Sequence, residues 1–145
     1  MVYLDTSALL KRYIPEAQSD AFESFLQGCV PATISRLTFV EVRSALARIR
    51  RENRIDSDRE QAAAAALRND VLDGLLKVAP ATDRHFMDAM HLIERLTALP
   101  LRTLDALHLA LAQDMGAQAI ATADDTMAKA AVQLNLEVVF FGKTS

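Results

Sequence analysis

Short apolar runs and longer periodic stretches alternate along this chain. Residues 1–5 form a short, bounded apolar run, the pattern of a buried strand, and 30–34, 78–79, 118–122 and 137–141 read as further strands. Between them the period lengthens to that of helices. Thr6 and Ser7 offer N-caps to a helix beginning at Ala8, and Pro15 stops it. Ala21, Phe22, Phe25 and Leu26 share a face of a helix over 17–27, with Gly28 at its end. Ser35 caps a helix whose core stripe is Phe39, Val42, Leu46 and Ile49. Ser57 with Glu60 makes a capping box for an alanine-rich helix reaching about Leu76. Residues 82–99 are helical by pattern, with Phe86, Met90, Ile93 and Leu96 on a common face. Thr103 caps an almost wholly apolar helix ended by Gly116, and 124–134 forms the last helix.

Strands at the start, middle and end, alternating with helices, predict an α/β fold: a three-layer α/β/α sandwich around a central, mostly parallel sheet. No repeat or linker interrupts the pattern, so 1–145 is expected to be one domain, and 145 residues suffice to bury a core. In such folds ligands bind beyond the carboxyl ends of the strands. Asp5 and Asp124 both follow strand ends, which places them at one mouth.

Composition narrows the setting. Hydrophobic residues make up 51% and charged residues 24%, an ordinary globular balance. The single cysteine, Cys29, forbids an internal disulfide and fits a reducing compartment. The opening Met-Val-Tyr-Leu-Asp has no basic or apolar leader region, and no apolar run is long enough to span a bilayer. The expectation is a cytoplasmic protein with no membrane partner. A formal net charge of −3 argues against binding nucleic acid by bulk charge alone. The distribution matters more: Arg36, Arg43, Arg48, Arg50, Arg51 and Arg54 crowd one stretch against Glu41 and Glu52. Arginine suits bidentate phosphate contacts, although a solvated helix face would carry the same residues.

Four acidic residues occupy core-like segments. Asp5 ends Val2-Tyr3-Leu4, Glu41 interrupts Leu37-Thr38-Phe39-Val40, Asp105 lies in the apolar 104–112 run, and Asp124 follows Ala119-Ile120-Ala121-Thr122-Ala123. Each has an ordinary alternative. Asp5 could cap a helix. Glu41 lies roughly 120° from the centre of its core stripe and could be solvated, but Leu37, Thr38, Ser44 and Ala45 give it no basic neighbour at i±3 or i±4. Asp105 could answer a helix dipole, with Arg102 three residues before it. Asp125 has Lys129 at i+4 and is assigned to the surface, whereas Asp124 has Ala128 there and is assigned to the site. Two carboxylates about 4 Å apart repel by about 4 kcal/mol at an effective dielectric of 20. A convergent set therefore needs raised pKa values or a cation. All-oxygen donors select Mg²⁺ or Mn²⁺, while His85, His91, His108 and Cys29 lack zinc-ligand spacing. His108 follows Asp105 by three residues and reads first as a packed helical histidine near the site.

These motifs resemble the PIN domain, and within it the VapC-type ribonuclease toxins. The resemblance rests on Val-Tyr-Leu-Asp-Thr-Ser-Ala-Leu (2–9), Ser-Arg-Leu-Thr-Phe-Val-Glu (35–41), Leu-Arg-Thr-Leu-Asp-Ala-Leu-His-Leu-Ala (101–110) and Ala-Thr-Ala-Asp (121–124). The four segments span most of the chain in the family's order, and 56–99 carries little of the signal. The resemblance implies Asp5, Glu41, Asp105 and Asp124 around Mg²⁺ or Mn²⁺, with Thr6 and Ser7 beside the first aspartate; Thr122 is a further supporting candidate. It also implies a homodimer, an RNA substrate, and a small cognate antitoxin that occludes the site.

The expected reaction is endonucleolytic hydrolysis of RNA by a metal-activated water. Asp5, Asp105 and Asp124 hold the ion; Glu41 orients the water or completes a second metal position; Arg102, Arg36 and Arg43 are candidates for phosphate contacts. A phospho-accepting receiver would share the acidic mouth, but no strand before Asp83 ends in a suitable aspartate. A haloacid-dehalogenase-type phosphatase needs Asp-x-Asp after its first strand, and residues 5–7 are Asp-Thr-Ser. A catalytically silent binding module is the remaining alternative.

Overall fold

Tyr3 and Leu4 are both fully buried, and as strand neighbours they point to opposite faces. Each seeds a separate core, and the molecule is layered around them. The computed structural model describes residues 1–143; the last two positions of the expected 1–145 domain lie outside the described residues. In chain order the elements are β1 (Val2–Leu4), α1 (Thr6–Tyr13), α2 (Ser19–Gln27), β2 (Ala32–Ser35), α3 (Arg36–Arg51), α4 (Ser57–Leu72), β3 (Leu76–Ala79), α5 (Asp83–Arg95), α6 (Thr103–Asp114), β4 (Ala119–Thr122), α7 (Asp125–Gln133) and β5 (Glu137–Phe140).

The five strands form one parallel sheet in the order β3-β2-β1-β4-β5. Tyr3 is in register with Thr33 on one side and Ile120 on the other. Leu4 packs with Leu9, Phe22, Leu26, Val42, Leu46 and Leu67, so α1–α4 cover one face. Tyr3 packs with Leu92, Leu109, Leu111, Ile120 and Met127, so α5–α7 cover the other. Phe22, Phe25 and Leu26 are thus core residues, Phe25 partly exposed. This is the expected α/β/α sandwich. A receiver-like domain has the strand order 2-1-3-4-5, so the observed order removes that rival. The order reverses between β1 and β4, which makes their carboxyl ends the switch point where a crevice opens.

Several local expectations give way to tertiary contacts. Asp5 caps α1, accepting from the Ala8 N–H at 3.0 Å, so Thr6 and Ser7 begin the helix instead of capping it. Asp56, not Ser57, caps α4, and Glu60 turns from the cap to Arg50 at 2.8 Å. That helix stops at Leu72, because Gly74 takes a left-handed φ of 79° and releases Leu75 and Leu76 toward β3. The common apolar face of α5 also divides. Leu96 is buried, but Phe86, Met90 and Ile93 are 55%, 44% and 40% exposed, while His85, Ala89 and Leu92 face inward. His85 reaches the core side because its ring bonds the Thr82 N–H and Asp114.

An ion cluster ties α1 to α2 and α4. Arg12 donates to both oxygens of Asp70 at 2.7 and 3.0 Å and to Glu23 at 2.8 Å, and the Tyr13 hydroxyl donates to Asp70 at 2.7 Å. Asp70→Ala leaves Arg12 and a buried phenol short of their acceptor and should destabilise the fold by about 2–4 kcal/mol. Urea unfolding should show a lower midpoint at an unchanged slope.

Candidate active site

Asp5 is held by β1 on one side and β4 on the other. Its N–H donates to the Ala121 carbonyl at 3.1 Å, continuing the β1–β4 ladder past the end of β1. Only neutral groups donate to its carboxylate: the Ser7 hydroxyl at 2.6 Å, the Thr122 hydroxyl at 2.6 Å, and the Ala8 N–H. Ser7 and Thr122 are fixed in turn, accepting from the N–H groups of Ala123 at 2.9 Å and Asp124 at 3.0 Å. Burial drives the Asp5 pKa up, and these donors offset only part of that.

The other three carboxylates reach the same cleft from three helices. A cavity of about 630 Å³ is lined by Asp5, Glu41, Asp105 and Asp124, with Thr6, Ser7, Arg48, Arg102 and His108. Asp124 caps α7 through the Met127 N–H at 2.9 Å, so it serves as cap and cleft residue together. Asp105 stands in the first turn of α6, where the helix dipole favours negative charge. Its pKa is raised by burial and by the charge of Asp124, with Arg102 opposing. Arg102 spans the two, at 3.4 Å from each. Glu41 projects from the middle of α3. Burial pushes its pKa up, but hydrogen bonds from His108 and Thr6 and the charge of Arg102 outweigh burial and hold it below the usual range.

The cleft therefore gathers Asp5, Glu41, Asp105 and Asp124 with Thr6, Ser7 and Thr122 around them. It does not gather every candidate. Arg36 and Arg43 line a separate groove of about 510 Å³ between α3 and α4, with Phe39 and Leu67, and Arg36 stacks 5.4 Å from the Phe39 ring. They lie outside the cleft because the turn of α3 points them away from Glu41. Arg48 is seven residues beyond Glu41, two turns along the same helical face, and it does line the cleft. That spacing was the signal that would have separated Arg48 from the other arginines. His108 is packed as expected, but its ring also bonds Tyr3 and Glu41. Asp125 is a surface residue paired with Lys129 at 2.8 Å.

The donor chemistry suits a hard divalent cation: carboxylates with few positive neighbours, the most enclosed among them with none bonded to it. Among the described residues, no three acidic, histidine or cysteine side chains are drawn into a ready-made coordination sphere.

Comparison with known proteins gives a consistent picture. A family model described as PIN domain matches residues 2–133. A curated relative, Ribonuclease VapC46 of Mycobacterium tuberculosis, is 34% identical, with 95% of each chain covered. Among solved structures, the sarcin–ricin loop cleaving toxin VapC20 of the same organism superposes with a TM-score of 0.73 at 20% identity, covering 90% of this chain and 95% of that one. A toxin–antitoxin complex from Klebsiella pneumoniae gives 0.61 at 18% identity, covering 86% and 87%. No helix in the described residues is long and apolar enough to cross a membrane.

Crowded charge has a stability consequence. A carboxylate whose pKa is raised on folding destabilises the fold when ionised, and the penalty fades as pH falls through the folded-state pKa. Asp105→Asn removes that charge while keeping the side chain's shape. In chelator at pH 7 it should raise the melting temperature by about 2–5 °C. The gain should shrink toward pH 4, where Asp105 itself takes up a proton, and paired calorimetric scans across that interval check the sign.

Proposed function

The chain belongs to the PIN domain family, and on that premise we propose that it is the ribonuclease toxin of a toxin–antitoxin pair, cutting RNA with Mg²⁺ or Mn²⁺. The observation that carries this reading is the meeting of Asp5, Glu41, Asp105 and Asp124, from four distant segments, in one cleft. A binding module has no use for four carboxylates at the floor of an arginine-flanked crevice, since they would repel a phosphate backbone. A cation reverses the sign of that floor.

Asp5, Asp105 and Asp124 would hold the ion. Such an ion would supply Lewis-acid chemistry there, lowering the pKa of water and offsetting charge at phosphorus. Glu41 would orient the attacking water or complete a second metal position. Arg102 and Arg48 contact the phosphates flanking the cut, with Arg102 free to turn because its side chain is 76% exposed. Thr6, Ser7 and Thr122 keep the carboxylates in place through the bonds described above. The whole of 1–145 acts as one nuclease unit, and a lone free cysteine, Cys29, suits a cytoplasmic setting.

Two partners follow from this assignment. The superposition with a toxin–antitoxin complex supports a cognate antitoxin. A second copy of the chain is the proposed occupant of the outward apolar stripe Phe86, Met90 and Ile93 on α5, which lies beside Thr103 and Leu107 at the start of α6. One self-complementary stripe suffices for a two-fold pair.

With total RNA and Mn²⁺, Asp5→Asn should abolish cleavage, and Glu41→Gln should slow it by about 10²–10³-fold. Both variants should keep the wild-type helical circular dichroism. Cleavage surviving in purified Asp5→Asn protein would remove the nuclease assignment. Ile93→Glu should convert a dimer to a monomer in light scattering; an unchanged mass would move the interface off α5.

A further inference from the structure

Among the described residues, Glu41 makes hydrogen bonds through one oxygen only. The Thr6 hydroxyl donates to Oε1 at 2.7 Å, and the His108 ring meets the same oxygen through Nε2 in a short contact. The Oε2 atom takes none. The chain continues inward, with His108 Nδ1 lying 2.6 Å from the Tyr3 hydroxyl and the two rings edge to face at 5.7 Å. Tyr3 is fully buried at the centre of the sheet, and His108 is 2% exposed on the apolar helix α6.

We propose that Tyr3 and His108 are positioning residues that lock Glu41 by its inner oxygen and present the outer one to the reacting water and the ion. The donor assignment follows from the carboxylate. A carboxylate at neutral pH can only accept, so the hydrogen in the contact of Glu41 with His108 sits on Nε2. A ring with that one proton leaves Nδ1 as acceptor, and the Tyr3 hydroxyl fills it. A phenol keeps its proton at neutral pH, so the Tyr3 hydroxyl can donate it. Each member thereby fixes the next, as a carboxylate or carbonyl fixes a ligating histidine in metal sites, with the order reversed here: the histidine fixes the carboxylate.

The ordinary alternative is that Tyr3 and His108 merely satisfy each other in the core, with Glu41 nearby. Two features favour the clamp. A core histidine needs one partner at each nitrogen, and a backbone carbonyl or hydroxyl would serve; here the outer partner is the acidic group of the cleft. Glu41 also sits in mid-helix on a flexible side chain, the one cleft carboxylate with no helix-start position to hold it. Without the clamp its carboxylate has only Thr6 to choose among rotamers.

This inference rests on Glu41 belonging to the nuclease site, and the experiment separates the two. Nitrogen-15 resonances of His108 in metal-free protein should show a protonated Nε2; a bare Nε2 overturns the clamp whatever the fate of the nuclease reading. By calorimetry, Tyr3→Phe and His108→Ala should weaken Mn²⁺ binding by about 10-fold or more, and His108→Gln, which retains a donor, should recover part of the loss. The decisive comparison is in the Glu41→Gln background, where adding Tyr3→Phe should change Mn²⁺ affinity less than two-fold. An equal loss in both backgrounds, or a Tyr3→Phe variant that melts earlier yet binds Mn²⁺ as the wild type does, makes the pair structural and refutes the proposal. If wild type gives no Mn²⁺ binding heat, the metal reading fails on its own, and the clamp is then decided by His108 Nε2 alone.

Discussion

Asp5 is 3% exposed and is bonded to hydroxyls and an amide, with no lysine or arginine among its hydrogen-bond partners. A carboxylate in that position is expensive to keep ionised, and the chain adds three more around it. The surrounding architecture answers this constraint with dipoles and hydrogen bonds. Three of the four acids stand at helix starts: Asp5 before α1, Asp105 in the first turn of α6 and Asp124 before α7. Each helix N-terminus carries partial positive charge and spare N–H groups. The parallel sheet brings the starts of α1 and α7 to one edge through their βα connections, while α6 follows α5 and its first turn joins them in the cleft.

The offset is incomplete by design of the geometry. Burial raises Asp5 and Asp105 despite the dipoles, whereas Glu41 is held low by His108 and Thr6. One cleft therefore holds carboxylates of two kinds. Asp5 and Asp105 are destabilised as anions and gain most from a cation. Glu41 is stabilised as an anion and stays charged across the neutral range. Arg102 bridges Asp105 and Asp124 at hydrogen-bond limits and is mostly exposed, so its hold on them is weak in water.

Much of this was legible in the sequence, for a definite reason. An acid inside an apolar run has few innocent explanations, and Asp5, Glu41, Asp105 and Asp124 each break such a run. The strand–helix alternation then fixes which edge the strand-end acids share. Legibility failed where two local signals competed or where a partner came from far along the chain. Asp56 outcompeted Ser57 as a cap because Glu60 was drawn away to Arg50 across the α3–α4 packing. The apolar stripe of α5 was visible, but periodicity reports only that a face is apolar; the inward side is instead built on the small Ala89 and on His85, which reads as polar. The Arg12–Asp70–Tyr13 cluster spans a separation of 58 residues and leaves no local trace. The arginines of 36–54 looked like one group, yet the helix distributes them between the cleft and the α3–α4 groove.

The two cores also divide labour in a way that bears on the chemistry. The α1–α4 side supplies Glu41 and, through Arg12 and Asp70, a polar brace between its helices. The α5–α7 side supplies Asp105, His108 and Asp124. Tyr3 belongs to that second core by packing, yet its hydroxyl supports Glu41 from the first through His108. The Tyr3–His108–Glu41 line is thus a polar connection between the layers at the sheet centre. Shifting either layer by about 1 Å would stretch a bond to a ring that cannot follow without leaving its other partner. A buried polar line of this kind specifies one arrangement of the layers where apolar packing alone would tolerate several. The same contacts that define the site's geometry therefore help define the fold that surrounds it.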